Sequence, residues 1–465
     1  MNFSECIEYI ESIPKFTVKN TPEVTRKYLQ LLGDPDRGLK IFHIAGTNGK
    51  GSVSCYLSSV LRKNGYTAGM FISPHLVDIR ERMSINGTKI TEEEFTALCG
   101  KVIRVYEQNR ESLPHPAYFE FLFLMGMLWF AQEKPDFVIL ETGLGGRLDA
   151  SNSVCEVLIS IITRIGLDHM QYLGETIPEI AAEKAGIIRE GVPLVTIREP
   201  EAAFEVVRRK AREKNAEVII PELPGENEWD IQDNGIDFWF RCGYDYFKVS
   251  LETGAVYQIE NASLAIAALL KLEASGSIVL EQSRLLAGIR EARWTGRMDP
   301  VLPDLVLDGG HNEDGIAAFL RSVSAGHFEE GEERILLFSA VRDKKYEEML
   351  SMILQSGLFD RIIVTQLRTG RGVKADELKA DLKRILQDRA ELWEGVPVLE
   401  ERENVSAMME KFFMDRQPGK KMYYAAGSLY LVGEILEILS GRENTHSGFK
   451  RTDQPSKGGS LEFIC

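Results

Sequence analysis

The chain has 465 residues, 44% apolar and 27% charged; this is the balance of a folded globular protein of two or three domains and excludes a disordered or fibrous chain. A formal charge of −15 excludes a dedicated nucleic-acid binder, because no basic field offsets phosphate repulsion, and an anionic substrate would need a local positive site. Six cysteines without paired spacing give neither a disulfide framework nor a zinc site, no run reads as a membrane span, and the acidic start MNFSECIEYIESIPKF is unlike a secretory signal, so a cytoplasmic protein is expected.

In chain order, LKIFHIA (39–45), TAGMFI (67–72), DFVILE (136–141) and VLISIIT (157–163) predict strands separated by helix-length segments, the pattern of a parallel sheet with crossover helices. PAYFEFLFLMGMLWFAQE (116–133) is too continuously apolar for a surface helix, and Glu120 within it favours a helix buried in the first domain over a membrane span. GIDFWFRCGYDYFKVSLETG (235–254) alternates as a small β annex does, and NASLAIAALLKLEA (261–274) returns to helix. After WTGRMD (294–299) a second strand–helix series runs through DLVLDGG, RILLFSAV, RIIVTQ, VPVLE and KMYYAAGS, predicting a smaller Rossmann-like α/β domain. The expected organisation is residues 1–294 as an α/β, parallel-sheet, nucleotide-binding domain, 295–441 as the second domain, and 442–465 as a polar, disordered tail.

Chemistry gathers at the predicted strand ends. GTNGKGS (46–52) lies between a strand and a helix, where backbone N–H groups, the helix N-terminus and Lys50 can converge on a phosphate; the strict G-x-x-x-x-G-K-[ST] spacing fails, so a plain glycine-rich turn stays open on this stretch alone. Ser73 and Glu141 end two further strands, and Asp168 and His169 follow a third, all where an open α/β sheet binds ligands. One hydroxyl, one carboxylate and one imidazole beside a triphosphate suit Mg²⁺.

HIAGTNGKGSV, FISPHLVDIRERMSING, ETGLGGRLDASN, IGLDHMQYLGETIPEIAAEKAGII, WTGRMD and LDGGHN, in this order, resemble the folylpolyglutamate synthase/dihydrofolate synthase family, a branch of the Mur ligase superfamily. FSAVRDKK and YYAAGSLYLVGE fit the same pattern. The resemblance implies an ATP-dependent ligase that adds L-glutamate to the glutamate tail of a reduced folate through an acyl phosphate. It implies that Asn48, Gly49, Lys50, Gly51 and Ser52 hold the ATP phosphates, with Asn261 near the adenine and Arg297 and Asp308 reaching ATP from the second domain. Two Mg²⁺ sites are implied, one at Ser73 and Glu141 and one at His169, with Lys184 carbamylated; Lys50, Lys184 and His311 carry the catalytic roles. Tyr118, Phe119, Glu120, Phe121, Leu148, Asp149 and Ala150 take the family's folate-contacting positions, although Phe121 reads better as core.

The implied partners are reduced folate, L-glutamate and ATP, with no nucleic acid or membrane, in a monomer whose domains close about a hinge near residues 292–297. The segment VKNTPEVTRKYLQLLG lacks the GLER-like stretch of the family, which leaves open whether dihydropteroate is also an acceptor. Two other readings are a Mur-type cell-wall ligase, disfavoured by SPHL and GLGGRLDASN, and a nucleotide-hydrolysing switch, which would need neither Lys184 nor the DGGHN block.

Overall fold

The structure, a computed structural model, describes residues 1–14, 20–225, 227–232, 235–326, 331–388 and 396–443. The first sheet is built from β1 (Ile41–Ala45), β2 (Ala68–Phe71), β3 (Met83–Ile85), β4 (Thr88–Lys89), β5 (Phe137–Glu141), β6 (Ile159–Ile162), β7 (Leu194–Thr196) and β8 (Val218–Ile219), in the spatial order β4-β3-β2-β5-β1-β6-β7-β8. Strands from β2 to β8 in that order pair in parallel, and β3 and β4 add an antiparallel edge. β1 and β5 are buried at every position, as central parallel strands covered on both faces must be.

One face of this sheet is covered by the helices Lys50–Lys63 and Gln258–Ala274 and by a three-stranded annex of β9 (Trp229–Gln232), β10 (Gly235–Cys242) and β11 (Asp245–Leu251). The annex alternates as its sequence does: Ile236, Phe238, Phe240, Val249 and Leu251 point into that core, and Trp239 stacks on Tyr246 outside. The other face buries the helix Tyr118–Glu133, which is apolar all round and enclosed by the helices Phe3–Ser12, Pro22–Leu31 and Glu92–Asn109.

A second sheet comprises β12 (Asp299–Leu302), β13 (Leu305–Leu307), β14 (Glu333–Phe338), β15 (Arg361–Thr365), β16 (Val398–Arg402) and β17 (Lys421–Ala426), ordered β12-β13-β17-β14-β15-β16. All but β12 run parallel, with helices on both faces. The last helix, Leu429–Glu443, carries through Arg442 and Glu443, two residues expected in the tail; the rest of that tail, 444–465, lies outside the described residues. No helix among the described residues is long and apolar enough to cross a membrane.

Candidate active site

β1 delivers the chain into Gly46–Gly49 and then the helix Lys50–Lys63. The loop is seated on the segment after β6: Thr47 N and Asn48 N donate to the Arg164 carbonyl at 2.8 and 3.3 Å, and Thr163 Oγ1 donates to the Asn48 carbonyl at 2.7 Å. Gly49 has a φ of 93°, and a Cβ there would lie 2.3 Å from Asn261 Oδ1, so both backbone and space demand glycine. Asn261 thus lies under the phosphate loop itself. Its Nδ2 donates to Gln258 Oε1 at 2.9 Å, and Gln258 Nε2 donates to Ser52 Oγ at 3.1 Å, which links the helix Gln258–Ala274 to the first turn after the loop. Gly51 packs so closely on Trp294, just before the second domain, that a Cβ would come within 2.8 Å of the indole.

Lys50 Nζ donates to the Gly46 carbonyl at 3.2 Å and stands 3.7 Å from Glu141 Oε1 at the end of β5, the neighbour of β1. Glu141 is 3% exposed and its Oε2 accepts from Ser73 N at 3.3 Å. Burial raises its carboxyl above the ordinary value, against the pull of Lys50, the Ser73 amide, Arg297 and Arg82. Lys50, Ser73 and Glu141 are therefore gathered at one sheet edge. Lys184, buried at the end of its helix, donates from Nζ to the same Gly46 carbonyl at 2.7 Å, so it reaches the same loop.

The second domain closes on this edge. Asn48 and Asn312 exchange hydrogen bonds through their side-chain amides at 3.2 and 3.1 Å, and Asn312 Nδ2 also donates to Asp168 Oδ2 at 3.2 Å. Lys344 forms an ion pair with Asp168, and His311 Nε2 lies 3.7 Å from the same carboxylate. Burial alone would raise the Asp168 carboxyl; His311, His169 and Lys344 outweigh it and hold that group well below the carboxylate range. Burial, reinforced by Lys344, pulls His311 down to about 4, and His169 is likewise brought down to about 4 by burial, with Lys344, His311 and Lys50 opposing its charge. Both imidazoles are neutral at pH 7. His311 Nδ1 faces the Gly309 carbonyl at 2.8 Å, so it carries the proton and leaves Nε2 with its lone pair.

Arg297 stands between the domains, crowding Gly309 and facing both Asp308 and Glu141. Asp308 does not present a free carboxylate: Oδ2 accepts from Tyr257 Oη at 2.6 Å and Met298 N at 3.0 Å, and Oδ1 from Gly310 N at 2.7 Å. In this conformation it braces the joint between the domains.

The expected folate positions divide. Phe119 packs over Gly143 beside the Glu141 loop, Tyr118 donates to Glu11 at 2.9 Å, and Leu148 is exposed. Four others are taken up by their surroundings. Phe121 is fully buried beside Tyr9 and His115 and belongs to the core. Glu120 is spent as a helix cap, accepting from Asn20 Nδ2 at 2.7 Å, Thr25 Oγ1 at 2.8 Å and Ala117 N at 3.0 Å. Asp149 braces its own loop, accepting from Leu144 N, Ser151 N and Ser151 Oγ, while Ala150, nearly buried, opens the short turn that follows. Asn312 and Lys344 were not singled out in the sequence; the signal for both is their place after the C-terminal ends of β13 and β14, the ligand edge of the second sheet.

Two facing α/β domains with a phosphate loop between them define a class, that of the Mur ligases: residues 44–269 match the family described as Mur ligase middle domain. Residues 300–438 match the family described as Dihydrofolate synthetase, C-terminal domain, and the cell-wall ligase and switch readings are not favoured. The dihydrofolate synthase/folylpolyglutamate synthase of Bacillus subtilis is 33% identical over 453 residues, covering 94% of this chain and 99% of the relative. A folylpolyglutamate synthase of Arabidopsis thaliana is 32% identical over 370 residues, 69% of this chain and 62% of the relative. Among solved structures, E. coli FolC in complex with DHPP and ADP has a TM-score of 0.81 at 27% identity, covering 95% of this chain and 99% of that one. The chain belongs to the folylpolyglutamate synthase/dihydrofolate synthase family.

Proposed function

We propose that the protein is an ATP-dependent ligase that adds L-glutamate to the glutamyl tail of a reduced folate. The observation that carries this reading is the convergence of Lys50 and buried Glu141 on one phosphate loop, closed from the second domain by Asn312 and Lys344, in a chain 94% of which matches a synthase of that family.

A carboxylate is a poor electrophile. Its oxygen takes the γ-phosphoryl group, ADP departs, and the amine of glutamate then attacks the acyl carbon of the resulting acyl phosphate, expelling phosphate and losing a proton. The protein's part is to position and to neutralise charge. Lys50 is placed to follow the moving phosphoryl group. Neutral His311, with Nε2 open, is placed to accept a hydrogen bond from the incoming amine. The second domain keeps out the water that would hydrolyse the intermediate.

The donor set at Ser73 and Glu141, a hydroxyl beside a carboxylate that accepts a single backbone N–H, is hard and incompletely satisfied, and fits Mg²⁺. His169, neutral, would serve a second ion. Bound there, Mg²⁺ would supply charge neutralisation to the phosphates. A carbamate on Lys184 would keep one N–H for the Gly46 carbonyl while adding a carboxylate as a further hard ligand. Both halves of the site come from one chain, which supports action as a monomer.

Phosphate release from Mg-ATP tests the reading: it should require both tetrahydrofolate and L-glutamate. Release that needs neither overturns it. Running dihydropteroate beside tetrahydrofolate decides whether the enzyme also makes dihydrofolate.

A further inference from the structure

Arg82 ends the short helical turn Ile79–Arg82, immediately before β3. It is 6% exposed, and among the described residues no other arginine is so deeply buried. Buried charges are ordinarily paired, because an ion out of water without a partner is costly. The neighbouring cases obey this rule: Arg26 pairs with Asp36, Arg416 with Asp304 and Arg164 with Glu260. Arg189, which has no carboxylate, spends its guanidinium on the backbone carbonyls of Val154, Cys155 and Asn152.

Arg82 does neither. Its Nε donates to His75 Nδ1 at 2.9 Å, its guanidinium lies 5.5 Å from the centre of the Tyr118 ring, and among the described residues its two terminal nitrogens meet no acceptor. Glu11, Glu141 and Tyr430 of the second domain face it without forming an ion pair. A fork of donors is thus held by His75 and Tyr118 with its two terminal nitrogens unpaired among the described residues.

We propose that Arg82 is the binding site for a carboxylate of the acceptor, and that the substrate completes its missing ion pair. This assignment rests on the function proposed above. A planar guanidinium matches a carboxylate through two parallel hydrogen bonds. The α-carboxylate of the glutamyl tail suits it: the γ-carboxylate must reach the phosphoryl group at Lys50 and Glu141, whereas Arg82 faces Glu141 without pairing with it and lies against Tyr118.

The test is equilibrium titration of the full-length protein, with ADP present, using tetrahydrofolate and tetrahydrofolate whose α-carboxylate is an amide. Wild type should bind the acid at least roughly tenfold more tightly than the amide, and Arg82→Gln should bind both with the weaker affinity. The wild-type comparison needs no mutant, so it stands even if Arg82→Gln folds poorly. If wild type binds acid and amide alike and Arg82→Gln loses roughly tenfold on both while Arg82→Lys recovers part of it, the site holds the reacting carboxylate instead. If Arg82→Gln binds both as wild type does, or loses ADP affinity by the same factor, the assignment is overturned. A wild type that binds ADP but no folate would overturn the proposed function itself.

Discussion

Glu120 and Glu141 lie in the same domain, each 3% exposed, and burial raises both carboxyls above the ordinary glutamate value. Their surroundings differ. Glu120 accepts three hydrogen bonds of 3.0 Å or less from neutral donors; Glu141 accepts one at 3.3 Å and faces Lys50, Arg297 and Arg82. A carboxylate with three of its roughly four lone-pair sites taken by neutral donors is part of the scaffold. One that is buried, under-bonded and ringed by cations keeps lone pairs for a further partner, and a metal ion is the kind its charge suits. Burial alone does not separate the two; the inventory of donors does.

The sharpest way to break that contrast is Glu141→Gln. Removing the charge while keeping the shape should cut the rate of phosphate release by roughly 10²- to 10³-fold, the scale of losing one preorganised electrostatic contact. The thermal midpoint should hold or rise, because an incompletely satisfied buried carboxylate is a strain that folding bears for function. A variant that melts early with unchanged turnover would place Glu141 with the scaffold.

Asp168 offers a third case: His169 N donates to it at 2.8 Å from its own domain, and its charged and side-chain partners, Lys344 and Asn312, come from across the domain boundary. Lys344→Met should lower kcat/KM for ATP by about tenfold and leave Asp168 an unpaired buried anion. Small-angle scattering should then show a more open particle. Unchanged kcat/KM would mean that the pair records one arrangement of the domains without governing it.

These three carboxylates also mark what sequence alone can carry. The strand ends at Ala45, Phe71, Glu141 and Ile162 follow from short apolar runs stopped by glycine, serine and turn residues, and a parallel sheet brings such ends to one edge. The order of the strands, and with it the placing of β5 directly beside β1, depends on pairings between residues nearly a hundred positions apart, which no local pattern reports. The hydrogen bonding of Glu120 is hidden for the same reason: Asn20 and Thr25 lie about a hundred residues upstream, and nothing at 118–121 announces that they will satisfy it. Asn312 and Lys344 acquire their meaning only when the second domain docks.

The smallest effects fall on Glu120. Glu120→Ala should cost about 1–3 kcal/mol of stability by stranding Asn20 Nδ2, Thr25 Oγ1 and Ala117 N, with turnover intact below the melting range. Glu120→Gln is gentler and more informative, since its amide nitrogen can donate to Thr25 Oγ1 while its oxygen keeps the other two donors. In wild type, burial lifts the folded carboxyl above its ordinary value of 4.5, so over the window that opens there and extends upward the folded chain binds more protons than the unfolded one. Stability therefore falls as pH rises through that window, and the advantage of wild type over Glu120→Gln should shrink from acid toward neutral pH in paired urea titrations. An advantage that grew instead would mean that the three donors outweigh burial and that Glu120 is held as an anion, which would draw it closer to Glu141 than its hydrogen bonds suggest.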